Sequence, residues 1–226
     1  MFHKLRANNM KKKLLLLIIP FILLGFWLYQ VSASDTGALS PGTMADDDTV
    51  GTVAWVNPDN AKVSNDVYAT FTNPIDATSH YLKATNFGFS IPSGATINGI
   101  LVEIERIVPT GGTGQVNDSE IKIVKSDGTI GDTNKSTGAT WSATESYISF
   151  GGSSDLWGEE WEAEDINDSD FGVVLSATIS NQFVASYGRV DHIRITVYFQ
   201  EAASESAKFQ VKSGTLEIKS GNLMIQ

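Results

Sequence analysis

The chain repeatedly alternates apolar and polar residues over short runs, and the clearest case lies in the central stretch 86–108. There, Ile100, Val102 and Ile104 alternate with Glu103 and Glu105. A period of two that is rich in β-branched residues is typical of a strand with one buried and one solvent-facing side. This stretch therefore predicts a half-buried strand, and it sets the pattern for the rest of the chain.

About eight such strands are predicted between residues 53 and 200. The last is the most regular, because apolar residues at 193, 195, 197 and 199 alternate with polar ones at 192, 194, 196 and 198. An Asp127-Gly128 pair between strands at 120–125 and 129–130 predicts a hairpin. Only 159–170 has helical potential, for a single turn at most. These features predict an all-β fold, a two-sheet antiparallel sandwich of jelly-roll type.

The first 33 residues have the pattern of a secretory signal helix. Lys11, Lys12 and Lys13 precede an apolar run from Leu14 to Tyr29, and small residues then allow cleavage after Ala33. Retention of this segment as a membrane anchor is the alternative, although the run is shorter than the roughly 20 residues that a span needs. Either Met1 or Met10 is the start. The predicted location is extracellular or at the cell surface.

The segments that flank the sandwich differ from it in composition. Residues 34–52 are rich in Ser, Thr, Gly and Asp, which predicts a flexible acidic leader. A polar linker is predicted at 201–208. In the tail, 209–226, apolar residues repeat every seven positions around Ser-Gly pairs, which predicts short β-strands joined by tight turns. Such strands are expected to dock on the sandwich or to pair with other copies in a homo-oligomer.

Charge and composition exclude several classes of function. The net charge is −10, and the first 33 residues carry five basic and no acidic side chains, so the remainder carries −15. So acidic a surface repels phosphate backbones, and nucleic acid is not predicted as a partner. The absence of cysteine excludes disulfides and cysteine-ligated zinc. No catalytic motif is found, so the chain is predicted to be non-enzymatic, with a secreted hydrolase as the weakest hypothesis.

One acidic stretch, 165–170, resembles the start of a calcium loop. Oxygen-bearing side chains alternate at 165, 167 and 169 as they do at the start of a calcium loop, but the glycine and the final glutamate of such a loop are missing. A polar turn that caps the next strand is the other interpretation, and no cofactor is otherwise predicted. The candidate calcium ligands are Asp165, Asn167, Asp168 and Asp170.

Aromatic side chains on a glycine-rich acidic loop are the candidate ligand-binding residues. Trp157 and Trp161 have flat rings that could stack on a sugar, and Asp155 could accept its hydroxyl groups. The alternative is that these rings belong to the core, where aromatic residues bury a large area.

Five motifs in a fixed order resemble a jelly-roll-like β-sandwich module of phage-associated and bacterial secreted or surface proteins. The motifs include Asn86-Phe87-Gly88-Phe89, Asp155-Leu156-Trp157-Gly158 and the 190–199 strand, and the resemblance covers about residues 53–200. The tail also resembles C-terminal β-repeats of secreted proteins from small-genome bacteria. The resemblance implies a sandwich fold and surface recognition, and it transfers no site residue.

Two hypotheses of function follow from these observations. The first is an exported, non-enzymatic module that binds or adheres at the cell surface, with the tail adding strands to itself or to neighbours. The second is a carbohydrate-binding module that uses Trp157 and Trp161. The predicted partner is therefore a glycan or a surface protein, and the membrane is contacted only through an uncleaved signal segment.

Overall fold

The computed structural model describes residues 33–73, 76–109, 115–180, 186–202, 216–219 and 222–225. Strands dominate this part of the chain, and no helix within it is long and apolar enough to cross a membrane. The elements are β1 (Ala33–Asp35), β2 (Thr43–Asp47), a 3-10 turn (Pro58–Ala61), β3 (Ala69–Asn73), β4 (Tyr81–Thr85), β5 (Thr96–Ile107), β6 (Gln115–Val124), β7 (Ser146–Gly151), α1 (Ala163–Asn167), β8 (Gly172–Ser180), β9 (Ser186–Gln200), β10 (Leu216–Lys219) and β11 (Asn222–Ile225).

The strands form two antiparallel sheets that pack on one core, as the alternation predicts. The five-stranded sheet has the order β1-β9-β5-β7, and β3 also pairs with β9. The four-stranded sheet has the order β2-β4-β8-β6. Side chains such as Ile100, Ile104, Ile121, Leu175 and Ile195 are fully buried between the sheets. The predicted two-sheet sandwich is confirmed.

The segment 34–52, predicted to be a flexible leader, instead supplies an edge strand to each sheet. Strand β1 pairs with the end of β9, and β2 pairs along its whole length with β4. The carboxylate of Asp46 accepts a hydrogen bond from the Trp55 backbone at 2.7 Å and contacts His80 at 2.8 Å. The prediction failed because polar edge strands bury few side chains, so alternation in apolarity does not reveal them.

Strand β8 is buried on both sides. Val174 packs with Tyr81 and Val124 in a second apolar cluster, which the partly buried Val50 and Ile130 cover. The four-stranded sheet therefore has a small apolar layer on its outer side as well.

An ion pair joins the two sheets inside the core. Arg106 of β5 pairs with Asp118 of β6, and both side chains are almost completely buried. The Trp141 indole donates a hydrogen bond to Asp118 Oδ1 at 2.8 Å, and the Arg106 guanidinium lies 4.9 Å from the Trp141 ring. Burial lowers the pKa of Arg106 to about 10.

The predicted short elements outside the main strands are partly described. The hairpin at 126–128 is confirmed, since the Lys125 backbone donates to Thr129 at 2.8 Å. Helix α1 is the single turn expected within 159–170. In the tail, β10 and β11 form an antiparallel pair, while its assembly role stays a prediction. Residues 1–32 of the predicted signal segment and 203–208 of the linker lie outside the described residues.

Candidate functional site

The five-stranded sheet presents a polar, partly exposed side away from the core, called here the outer sheet face. Its residues alternate with the buried ones on β5, β7 and β9, so strand geometry alone places them on the opposite side. Cross-strand pairing brings Glu103 beside Arg194 and Ser149. The partly buried or exposed side chains of this face include Leu101, Glu103, Glu105, Tyr147, Ser149, Arg194 and Tyr198.

A charged and aromatic group occupies the middle of the outer sheet face. Arg194 donates to the two carboxylate oxygens of Glu103, through Nε at 2.8 Å and Nη2 at 3.1 Å. The same guanidinium lies 3.8 Å from the centroid of the Tyr147 ring. Arg194 keeps 31% of its side chain exposed and Glu103 keeps 18%. The bidentate pair of Arg194 and Glu103 therefore holds its hydrogen-bonding groups in fixed positions at the surface.

His192 anchors the tyrosine of this group. Its Nδ1 lies 2.8 Å from the Tyr147 hydroxyl, and its Nε2 lies 2.8 Å from Ser40 Oγ. Burial, helped by the positive charge of Arg194, lowers the pKa of His192, so the neutral ring is favoured. Burial also raises the pKa of Tyr147. Both groups are therefore uncharged at neutral pH and act as hydrogen-bonding groups.

Trp157 lies in the core, which corrects its prediction as a sugar-stacking residue. Its side chain is 1% exposed, and its Nε1 donates to the carbonyl of Ile100 at 3.0 Å. The loop turns back at this point, with the Trp157 backbone in the left-handed region at φ 60°. A buried ring has no free face for a ligand, so Trp157 serves packing.

Trp161 and Asp155 also have structural partners. Trp161 is partly buried, donates from Nε1 to the Leu156 carbonyl at 2.9 Å, and meets the Phe171 ring edge-on at 5.4 Å. Asp155 pairs with Lys135 at 2.7 Å and accepts a bond from the Trp157 backbone. Burial acts against ionisation of Asp155, but the Lys135 and backbone hydrogen bonds outweigh it and lower its pKa.

Three of the four predicted calcium ligands, Asp165, Asn167 and Asp168, form hydrogen bonds with nearby backbone or hydroxyl groups. Asp165 accepts from the Glu162 backbone at 3.0 Å and from Ser126 Oγ at 2.8 Å. Asn167 binds both backbone groups of Ile91, each at 2.8 Å. Asp168 Oδ1 accepts from the Asp170 backbone at 2.8 Å. These contacts agree with the polar turn that the sequence left as the other interpretation.

Carboxylates do meet elsewhere in the described part of the chain. One oxygen each from Asp66, Glu145 and Asp191 lies within 4.8 Å of the other two, at one end of the outer sheet face. Burial raises the pKa of Glu145, and the negative charges of Asp191, Glu105 and Asp66 add to this effect. No spacing in the sequence could have found this group, because the three residues are far apart along the chain.

The four-stranded sheet carries a different feature, an open cleft of about 510 Å³. Hydroxyl groups and two carboxylates contribute to its lining, among them Thr78, Ser176, Asp76 and Glu120. Among the described residues, no tryptophan, tyrosine or phenylalanine lines it. The cleft can take a small polar molecule, whereas the outer sheet face offers a longer surface with aromatic rings.

Comparisons with known proteins place β-sandwich carbohydrate-binding modules among the solved structures most similar to this chain. The CBM22-1 xylan-binding domain of Paenibacillus barcinonensis Xyn10C is 6% identical, with 74% of this chain and 96% of that one covered, at a TM-score of 0.36. TmCBM61, solved with β-1,4-galactotriose, is 10% identical, with 71% of this chain and 90% of that one covered, at a TM-score of 0.32.

A third structure, which concerns the promiscuous specificity of carbohydrate-binding modules from the β-sandwich superfamily, is 15% identical. That match covers 74% of this chain and 56% of the other, at a TM-score of 0.33. No protein-family model matches the sequence, and no curated protein matches it. Identities and TM-scores this low carry no argument about what this chain binds. The fold of the chain is defined by its own strand pairing, as a two-sheet antiparallel β-sandwich.

Proposed function

We propose that the protein is a non-enzymatic module that binds a glycan chain outside the cell, on the outer sheet face. The observation that carries this proposal is the group formed by Tyr147, Arg194 and Glu103, which holds an aromatic ring beside fixed hydrogen-bonding groups at a partly exposed surface. The extracellular location rests on the pattern of residues 1–33.

The chemistry of this face suits a carbohydrate. The apolar side of a sugar ring packs on an aromatic ring, and its hydroxyl groups accept bonds from a guanidinium and donate bonds to a carboxylate. Tyr198 provides a second ring on the same face, paired through the backbone with Gly99. It lies six positions after His192, the partner of Tyr147, which corresponds to about 20 Å along β9. This length favours an oligosaccharide over a single sugar.

A glycan array with the full chain tests the proposal. We expect binding to a defined set of oligosaccharides, with roughly fivefold weaker affinity for Tyr147→Ala, since an aromatic stacking contact is worth about 1 kcal/mol. Tyr147→Phe keeps the ring and is the matched control, so it should retain most of the affinity.

Two results would overturn the proposal. One is an array without any bound glycan, for protein whose circular dichroism shows the intact β fold. The other is glycan binding that is unchanged in Tyr147→Ala and Tyr198→Ala but lost in Trp161→Ala, which would assign the ligand to the tryptophan loop.

A further inference from the structure

Three carboxylates from distant parts of the sequence meet at the end of the outer sheet face near His192. Asp66 lies in the segment before β3, Glu145 directly precedes β7, and Asp191 lies on β9. One oxygen of each is within 4.8 Å of the other two. Like charges this close repel each other, so their approach requires a compensating interaction.

The position of Asp191 follows from an irregularity in the sheet. Glu105 pairs with His192, but the next residue of β5, Arg106, pairs with Val190. Asp191 is therefore the extra residue of a β-bulge, a feature that changes the direction of a side chain. Its Oδ2 accepts a hydrogen bond from the Asn65 backbone at 3.0 Å, which ties β9 to the segment that carries Asp66.

Two oxygens of the group are buried and lack a hydrogen-bond donor among the described residues. Asp191 is 1% exposed, and its Oδ1 has no hydrogen-bond partner. Glu145 Oε1 is also a buried atom without a hydrogen-bond partner. The other Glu145 oxygen accepts from the Tyr68 hydroxyl at 3.2 Å. An ionised carboxylate that is buried without a donor is unfavourable, so these oxygens point to a cation as the missing partner.

We propose that Asp66, Glu145 and Asp191 form a binding site for a divalent cation, with Ca²⁺ as its occupant. Ligands that are 2.3–2.6 Å from one Ca²⁺ ion lie at most about 5 Å apart, and the separations within this group satisfy that limit.

The ligand chemistry favours Ca²⁺ over other metals. All three donors are carboxylate oxygens, whereas zinc prefers nitrogen and sulfur. The two ring nitrogens of the neighbouring His192 are engaged with Ser40 and Tyr147. Ca²⁺ accepts six to eight oxygens in irregular geometry, while Mg²⁺ requires a near-ideal octahedron. Asp66 is exposed, so water can complete the coordination.

The ion would join three segments at this end of the sandwich: the 62–68 segment, the start of β7 and the bulge of β9. Since the site forms only in the folded chain, binding would stabilise the native state by mass action. This inference does not depend on the glycan proposal, because the three carboxylates are distinct from Tyr147, Arg194 and Glu103.

Calorimetric titration of the full, EDTA-treated chain with CaCl₂ tests the site. We expect one ion per chain and a melting temperature that rises with Ca²⁺ concentration, with a smaller response to MgCl₂. Asp191→Asn keeps an acceptor for the Asn65 backbone but removes a ligand charge. It should weaken Ca²⁺ binding at least tenfold, since loss of even an outer-sphere partner costs about 10- to 100-fold.

The control variants distinguish Ca²⁺ binding at this site from non-specific association of Ca²⁺ with the acidic protein surface. Asp170→Asn removes one exposed carboxylate from the other acidic loop and should leave Ca²⁺ affinity unchanged. Glu145→Gln provides a second test if Asp191→Asn does not fold, because the amide oxygen still accepts from Tyr68. The proposal is overturned if the unaltered chain shows no heat and no thermal shift with Ca²⁺. It is also overturned if Asp170→Asn weakens binding as much as Asp191→Asn or Glu145→Gln.

Discussion

Strand β5 contributes one residue to each of two arginine–carboxylate pairs. These two residues, Glu103 and Arg106, are three positions apart and point to opposite sides of the sheet. Arg106 pairs with Asp118 inside the core, where the two side chains are at most 3% exposed. Glu103 pairs with Arg194 on the outer sheet face, where 18% and 31% of the side chains remain exposed. The chemistry of the two pairs is alike, and the surroundings differ.

The two pairs differ in whether their polar atoms are accessible to a ligand. The inner pair is enclosed by Trp141 and by Phe150, whose ring is 5.6 Å from the guanidinium, so it links the two sheets but is not accessible to a ligand. The outer pair is solvated on one side and can exchange water for hydroxyl groups of another molecule. An ion pair therefore indicates a structural or a binding role only when its burial is known.

The largest effect is expected from breaking the inner pair. Asp118→Ala leaves the Arg106 charge buried without a partner and removes the acceptor of the Trp141 indole, so the free energy of unfolding should fall by about 3–5 kcal/mol. Urea unfolding followed by circular dichroism measures the loss. Glu103→Ala, the same truncation on the outer pair, should cost at most about 1 kcal/mol. Equal losses for the two variants would contradict the contrast drawn here.

The double variant Arg106→Met/Asp118→Leu sharpens this test. Replacement of both charges by apolar side chains removes the unpaired buried charge, so most of the stability lost in Asp118→Ala should return. A double variant that is no more stable than Asp118→Ala would mean that the pair itself is indispensable to the packing of the two sheets.

A smaller effect is expected from Trp157→Phe, which keeps an aromatic ring in the core but removes the donor to the Ile100 carbonyl. A buried acceptor without its donor costs about 1–3 kcal/mol, and the loss should appear in urea unfolding. Glycan binding of the folded fraction should not change, because the ring is enclosed. Reduced affinity in a variant of normal stability would return Trp157 to the binding site.

Glu103→Gln should affect binding more than stability. The exposed pair contributes less than about 1 kcal/mol to folding. If the outer sheet face binds a glycan, the variant still offers an acceptor but leaves Arg194 free to move, so affinity should fall while the melting temperature barely changes. An array signal identical to that of the unaltered chain would exclude this pair from the contact surface.

The smallest effect is a dependence on pH that arises from His192. Its pKa is lowered in the folded state by burial and by Arg194, so the unfolded chain binds a proton more readily below its usual pKa of about 6.5. Stability should therefore fall as the pH decreases through this value, until the lower pKa of the folded state is passed. His192→Gln should lose less stability between pH 7.5 and 5.5. Equal losses in urea unfolding would contradict the assignment.

The strands with one strongly apolar side were predictable from the sequence, and the edges were not. β5 and β9 alternate in apolarity, and their apolar residues are buried as the pattern indicates, for example Ile100, Ile104 and Ile195. His192 and Thr196, which the pattern places on the solvent-facing side of β9, are buried as well. β1 and β2 bury little side-chain area, and they are held by backbone pairing to β9 and β4, which leaves no apolar signal.

The outer sheet face shows why a site was harder to predict than the core. Sequence placed Glu103, Arg194 and Tyr198 away from the core, but not beside Tyr147, because strand order is a long-range property. Aromaticity singled out Trp157, although the turn at Gly158 inserts its ring into the core. Likewise, the acidic stretch 165–170 drew attention through its spacing, whereas Asp66, Glu145 and Asp191 meet only through the bulge in β9.

Strand β1 and the end of β9 lie side by side, with Ala33 opposite Gln200. The polypeptide thus enters and leaves the sandwich at a single corner, next to Tyr198 and at the opposite end of β9 from the three carboxylates. A short peptide joining residues 200 and 33 would close the domain into a ring, and new termini could then be opened in a surface loop. Such permutants would allow the domain to be tethered at a surface loop instead of at this corner.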